Sequence, residues 1–205
     1  MMSRIAMYIF AGTLLLASAL LTYSSLDAQG KKKSSASKQM IKRGEYLVTV
    51  GVCDDCHSPK IFTAEGPVVD TTRRLSGHPA GDKVPDVPEG AIGPDKWGAL
   101  ATNHLTSWTG PWGTSFARNL TPDVATGLGS WTPEMFIKAI RTGKDMGEGR
   151  AILPPMPWPN YRQMTDDDLQ AIFAFLRTLK PIENAVPNPI PPASEPVQSG
   201  KDTSR

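Results

Sequence analysis

The sequence predicts an all-α fold packed around one prosthetic group, and three observations carry this prediction. The segment Cys53-Asp54-Asp55-Cys56-His57 holds the only two cysteines of the chain. Apolar residues recur at helical spacing just before this segment and again over the last third of the chain. Between these regions, residues 58–131 hold 18 glycines and prolines and show little periodicity. We therefore expect helices joined by one long irregular insertion.

The Cys53–His57 segment matches Cys-x-x-Cys-His, the attachment signature of a c-type haem. The thiols of Cys53 and Cys56 would form thioethers with the porphyrin, and His57 would ligate the iron. A structural zinc site would need a second pair of ligands, and His78 and His104 stand far apart. A thioredoxin-type dithiol would follow a βαβ pattern, and none precedes the motif. The sequence predicts one covalent haem c, because the motif occurs once.

Composition is that of an ordinary globular protein, apart from 18 glycines and 19 prolines in 205 residues. The 22 basic and 20 acidic residues nearly balance, so nothing favours nucleic acid as a partner. The length fits one domain with extensions.

The first 28 residues contain an apolar run, Ile5 to Leu26, of about the length that a bilayer requires. We therefore expect export to the periplasmic side, with residues 1–28 acting as a signal peptide or as an N-terminal membrane anchor. The cleavage-site pattern before Ala28 is poor, which favours an anchor in the inner membrane. Lys31, Lys32 and Lys33 follow on the exported side, which argues the other way. Residues 29–37 are expected to form a flexible spacer.

The first predicted helix runs from about Ser37 to Val52 and delivers Cys53 to the haem. Gly44 in its middle costs about 1 kcal/mol relative to alanine. A close crossing by another helix would explain that glycine. The last helix of the domain is the expected partner.

The insertion contains one stretch with a pattern, from Trp97 to Trp108, which fits one face of a helix or a short hairpin. Its tryptophans, with Trp112, either wrap the haem or pack in the core. Arg73 and Arg74 either pair with a haem propionate or lie in solvent.

Two helix starts are clear in the last third of the chain. Thr132 precedes Pro133 and an acidic residue, and Gly143 marks the end of that helix. Thr165 precedes three aspartates, and the helix that follows ends before Pro181. The folded domain is therefore expected over residues 38–182, followed by a proline-rich disordered tail over residues 183–205.

The second axial position of the iron needs a ligand opposite His57. Met156 is the predicted ligand, because the surrounding prolines hold its loop rigid just before the last helix. Met146 and Met164 are the alternative methionines, and His78 and His104 rank below Met156.

Several further segments resemble class I c-type cytochromes of the bacterial periplasm. They are Arg43–Leu47, Cys53–His57, Asn119–Asp123, Thr126–Trp131, Leu153–Pro157 and the helix from Met164. The chain is especially similar to haem modules in cytochrome c subunits of membrane-bound dehydrogenases. The resemblance implies a cytochrome c fold with one haem and assigns the sixth iron ligand to Met156.

The expected function is single-electron transfer between a donor and an acceptor protein by a mono-haem cytochrome with His57 and Met156 on the iron. One alternative is a cytochrome subunit of a membrane-bound dehydrogenase or oxidase complex. Another is a haem enzyme or gas sensor with an open iron site. Chemistry on a substrate is not expected, and the membrane is a partner only if the N-terminal segment is retained.

Overall fold

The structure is a computed structural model that describes residue 35 and residues 37–192. The predicted export segment 1–28, all but residues 35 and 37 of the spacer, and residues 193–205 of the tail lie outside it. Among the described residues, no helix combines the length and the hydropathy that crossing a bilayer requires.

The fold is mixed α/β, so the all-α prediction is wrong. Helical segments are α1 (37–50), α2 (Cys53–His57), α3 (Pro133–Thr142), α4 (Trp158–Tyr161) and α5 (Asp166–Leu176). Strands are β1 (Lys60–Thr63), β2 (Gly66–Val69), β3 (Leu100–Ala101), β4 (Ser107–Gly110) and β5 (Gly113–Phe116). They form two antiparallel sheets, β1-β2 and β3-β4-β5. Both sheets lie in the segment for which the sequence predicts irregular structure.

The strands escape sequence analysis because each has only two to four residues. Alternation needs a longer run before it becomes a signal. The β1-β2 turn is Ala64-Glu65 rather than an Asn-Gly pair. Between Trp97 and Trp108 the structure has β3 and the start of β4, so the hairpin alternative is the one observed.

The predicted crossing of the first and last helices is confirmed at Gly44. A Cβ atom built on Gly44 would lie 1.9 Å from the carbonyl oxygen of Ala171 and 2.8 Å from Cβ of Phe175 in α5. No larger residue fits there without displacing α5. The crossing fixes α1, and therefore the start of the haem motif, against the core.

The two predicted helix starts are also confirmed. The hydroxyl of Thr132 accepts a hydrogen bond from the backbone N–H of Met135, and the hydroxyl of Thr165 accepts one from Asp168. Gly143 ends α3 in the left-handed conformation, with φ 66°. The aromatic rings of Phe136 (α3) and Phe173 (α5) lie 5.4 Å apart and join the two helices in the core.

Residues 182–192 lie against the domain, although the sequence analysis assigns residues from 183 onward to the tail. The side-chain amide of Asn184 donates to the carbonyls of Ser76 and His78 and accepts from the backbone N–H of Ala80. Ile190 pairs with Thr114 in β5 through two backbone hydrogen bonds of 2.8 and 2.9 Å.

Candidate haem site

One cavity of about 490 Å³ opens between the helices and the three-stranded sheet. This volume lies within the range of about 300 to 1,000 Å³ that is typical of ligand pockets. All four predicted site residues line it: Cys53, Cys56, His57 and Met156. Segments about 100 residues apart in the sequence thus meet at one site.

The haem motif forms the short helix α2, which a left-handed residue sets apart from α1. Val52, with φ 49°, adopts this left-handed conformation between the two helices. The guanidinium of Arg74 binds the carboxylate of Asp54 through two contacts, Nη2–Oδ2 at 2.8 Å and Nε–Oδ1 at 3.1 Å. The hydroxyl of Ser58 donates to the same carboxylate at 2.7 Å. These bonds fix the position of α2.

His57 is oriented by a backbone carbonyl. Its Nδ1 lies 2.8 Å from the carbonyl oxygen of Arg118. A carbonyl oxygen only accepts, so Nδ1 carries the proton of this hydrogen bond. Burial lowers the pKa of His57, which favours the neutral ring. Nε2 therefore has a free lone pair, as an iron ligand requires.

Both thiols are free and partly buried. Burial raises the pKa of Cys53 to about 11 and also raises the pKa of Cys56. Both groups are therefore protonated thiols at neutral pH.

The methionines differ in their relation to the cavity. Met156 and Met164 both line the wall and pack against the core. Met146 is not on the wall, is 43 % exposed, and has a left-handed backbone, with φ 53°. The loop that carries Met156 is held to β5, because the hydroxyl of Ser115 donates to the carbonyl of Pro154 at 2.6 Å.

Neither of the remaining histidines lines the cavity. Nδ1 of His78 lies 2.9 Å from the hydroxyl of Thr106, and the ring packs on Phe116. Nδ1 of His104 accepts a hydrogen bond from the backbone N–H of Lys60 at 3.0 Å. Both imidazoles have structural partners on the β-sheet side of the molecule.

The residues present fit a haem on two grounds. The wall is largely apolar, as a porphyrin face requires, with contributions from α1, α3 and α5 such as Leu47, Val48, Phe136, Ile140, Leu169 and Ile172. The second ground is a polar atom of the cavity wall that lacks a partner among the described residues. Nε of Arg118 is buried without a hydrogen bond. The guanidinium stacks on Trp131 at 4.8 Å and contacts Asp145 at 2.5 Å. A haem carboxylate would supply the missing acceptor.

Arg73 and Arg74, the propionate candidates of the sequence analysis, are occupied by other carboxylates. Nε of Arg73 lies 2.7 Å from Asp70, and Arg74 binds Asp54. Two further residues at the site, Arg118 and Tyr161, were not predicted from the sequence. The hydroxyl of Tyr161 donates to the carbonyl of Gly51 at 2.6 Å. Arg118 directly precedes the Asn119–Asp123 segment, which was the available signal. Tyr161 contacts a backbone carbonyl, which every residue has, so the sequence gives no signal for this contact.

Comparison with known proteins shows that the chain is similar in sequence to cytochrome c subunits of dehydrogenases. This similarity supports a cytochrome c haem module. The chain is 29 % identical over 166 residues to the gluconate 2-dehydrogenase cytochrome c subunit of Pantoea cypripedii. It is 31 % identical over 165 residues to the cytochrome c subunit of the quinone alcohol dehydrogenase of Gluconobacter oxydans. These matches cover 80 % and 79 % of the chain, but only 29 % and 26 % of the relatives.

A third relative is the fructose dehydrogenase cytochrome subunit of Gluconobacter japonicus. It is 26 % identical over 155 residues, which are 75 % of the chain and 24 % of the relative. The chain thus spans less than a third of the length of these curated relatives. No family model matches the chain.

Proposed function

We propose that this chain is a mono-haem c-type cytochrome that carries single electrons for a membrane-bound dehydrogenase. The observation that carries the proposal is the meeting of Cys53, Cys56, His57 and Met156 on the wall of one largely apolar cavity. The similarity to dehydrogenase cytochrome c subunits supports the choice of a dehydrogenase as the partner.

Each residue has a separate task in this proposal. Cys53 and Cys56 would hold the haem through thioethers, and His57 and Met156 would be the protein ligands of the iron. When bound, the haem would supply a reversible one-electron couple between the donor and the acceptor. The carbonyl of Arg118 keeps the imidazole of His57 in the ligating tautomer.

Partner proteins would approach beside α2. Val52 and Asp55 are exposed and also line the cavity, so the cavity reaches the surface next to the haem motif. A brief redox contact at this edge needs less than about 1,200 Å² of interface. We place the protein on the periplasmic side of the inner membrane, with residues 1–28 as its anchor or its export signal.

The decisive test uses the full chain produced with a cytochrome c maturation system. Alkaline pyridine with dithionite should give a c-type haemochrome with one haem per chain. A potentiometric titration should then follow a one-electron curve, and the reduced dehydrogenase should reduce the protein faster than free substrate does. A protein without haemochrome refutes the haem assignment. Ready binding of carbon monoxide by the reduced protein would instead indicate an open-site haem enzyme or gas sensor.

A further inference from the structure

A lysine is buried directly against the haem-attachment helix. Lys60, the first residue of β1, is only 8 % exposed. Its ammonium donates to three backbone carbonyls, those of Asp54 at 3.0 Å, Asp55 at 2.9 Å and Ser58 at 2.6 Å. All three N–H groups of the ammonium are therefore used on α2 and the residue that follows it.

This arrangement satisfies a specific need of α2. The last carbonyls of a helix have no partner within the helix, and they carry its partial negative charge. In α2 these carbonyls surround Cys56 and His57, the two motif residues nearest the end of the helix. A cation with three donors binds carbonyls on both sides of Cys56 and His57 in the sequence and so stabilises the backbone that carries them. The backbone of Lys60 is itself held, because its N–H donates to Nδ1 of His104.

The charge of Lys60 is not cancelled by a carboxylate in direct contact. Among residues 37–192, no acidic side chain lies within ion-pair distance of its ammonium. Asp54 is paired with Arg74, and Asp55 is exposed, so that solvent screens its carboxylate. A buried positive charge acts over a longer distance than an exposed one, because the surrounding dielectric constant is lower.

We propose that Lys60 is a positioning residue for the haem motif and that its buried ammonium raises the reduction potential of the haem. This inference rests on the proposed function. Reduction adds one negative charge at the iron, and a buried positive charge that no carboxylate contacts directly favours the state that holds the added electron. Lys60 would thus act on the haem by its charge and by its hydrogen bonds to α2, without contact with the iron ligands.

The test compares three substitutions of Lys60 in the full haem-loaded protein. Lys60→Met removes the charge and all three donors, Lys60→Gln removes the charge but keeps an amide donor, and Lys60→Arg keeps the charge. We expect Lys60→Met and Lys60→Gln to lower the equilibrium constant for reduction about tenfold, which is about 59 mV for one electron. Lys60→Arg should retain most of the potential. The control is Lys83→Met, which removes the same charge from an exposed position and should leave the potential unchanged.

Thermal unfolding separates the charge effect from a purely structural one. A cap without electrical influence would lower the unfolding temperature of Lys60→Met while all variants kept the wild-type potential, and that result would overturn the inference. Equal shifts in Lys60→Gln and Lys60→Arg would also overturn it. If Lys60→Met does not accumulate with haem, the Lys60→Gln and Lys60→Arg pair still decides the question. The wild-type haemochrome assay tests the proposed function independently of these variants.

Discussion

His57 shows how much of this site depends on contacts that a sequence does not encode. The haem-attachment motif could be predicted from the five residues Cys53–His57, because thioether attachment and iron ligation need those residue types at that spacing. The orientation of the imidazole depends instead on the carbonyl of Arg118, 61 residues away. Any residue supplies a carbonyl, so no residue type marks this acceptor. The same is true of the carbonyls that bind Lys60.

Replacing Met156 tests the proposed sixth ligand. Met156→Ala should leave the haem attached, because Cys53 and Cys56 are unchanged, and should open one axial position. The oxidised protein should lose the methionine-to-iron charge-transfer absorption, and the reduced protein should bind carbon monoxide readily. Met146→Ala is the control, because Met146 is off the cavity wall, and it should behave as wild type. If Met164→Ala gives the open-site spectrum instead, the assignment of Met156 is wrong.

Asp70 gives the fold a predictable acid sensitivity. The hydroxyl of Thr72 and the guanidinium of Arg73 lower the pKa of Asp70 to about 2 from an ordinary value of 3.8. A carboxyl group with a lowered folded-state pKa stabilises the protein above its unfolded pKa, and this stability is lost as the pH falls through the folded pKa. The contribution of Asp70 should therefore be complete above about pH 4 and vanish towards pH 2.

The measurement is thermal unfolding of Asp70→Asn over the range from acid to neutral pH. We expect a loss of at most about 2 kcal/mol at neutral pH and little difference from wild type at the acid end. The matched control is Asp86→Asn, at an exposed position in the insertion. A constant difference between Asp70→Asn and wild type at every pH would contradict the electrostatic explanation.

At the scale of elements, α1, α3 and α5 were predicted from the sequence, whereas the short helix α4 and the strands were not. Helices α3 and α5 are marked in the sequence by a hydroxyl cap, an acidic first turn and an apolar stripe. Gly44 correctly indicated a crossing, because a glycine inside a helix needs a packing reason. The strands β1 to β5 are held by hydrogen bonds between short segments, and their few residues are not enriched in alternating apolar positions. Their presence is what makes the fold mixed α/β.

Gly44→Ala tests the crossing of α1 and α5. Its new methyl group would overlap the carbonyl of Ala171, so the helices must separate, at a cost of about 3 kcal/mol. Chemical denaturation of the haem-loaded protein measures this loss. Gly98→Ala is the control, because a Cβ at Gly98 meets no atom within 4 Å. Equal stability of the two variants would show that α5 moves away without cost.

At the scale of the whole molecule, the proposed cofactor would complete the core. The cavity has a volume of about 490 Å³, and its wall includes buried residues of α1, α3 and α5. The position of this cavity followed from the sequence, but the contribution of the sheet and of Pro189 to its wall did not.

Removing both attachment points should expose this dependence. The double variant Cys53→Ala and Cys56→Ala should contain no covalent haem and should unfold at a temperature at least about 10 °C lower than the haem-loaded protein, because the apolar wall loses its packing partner. Circular dichroism during heating measures the change. Met156→Ala is the comparison that keeps the haem and should unfold close to wild type. An unchanged unfolding temperature in the double variant would show that the core is complete without the cofactor.

The hairpin β1-β2 has a consequence for the behaviour of the protein in concentrated solution. Within the described chain each of its strands pairs with one other strand, so each has an outer edge without a strand beside it, although the N–H of Lys60 at the start of β1 donates to Nδ1 of His104. Ile61 and Val68 are cross-strand partners that are 49 % and 47 % exposed, and Phe62 beside them is 54 % exposed. Open edges with exposed apolar side chains act as templates on which a second chain adds a strand. Self-association of the purified protein should therefore begin at this hairpin. Ile61→Lys or Val68→Lys should suppress it.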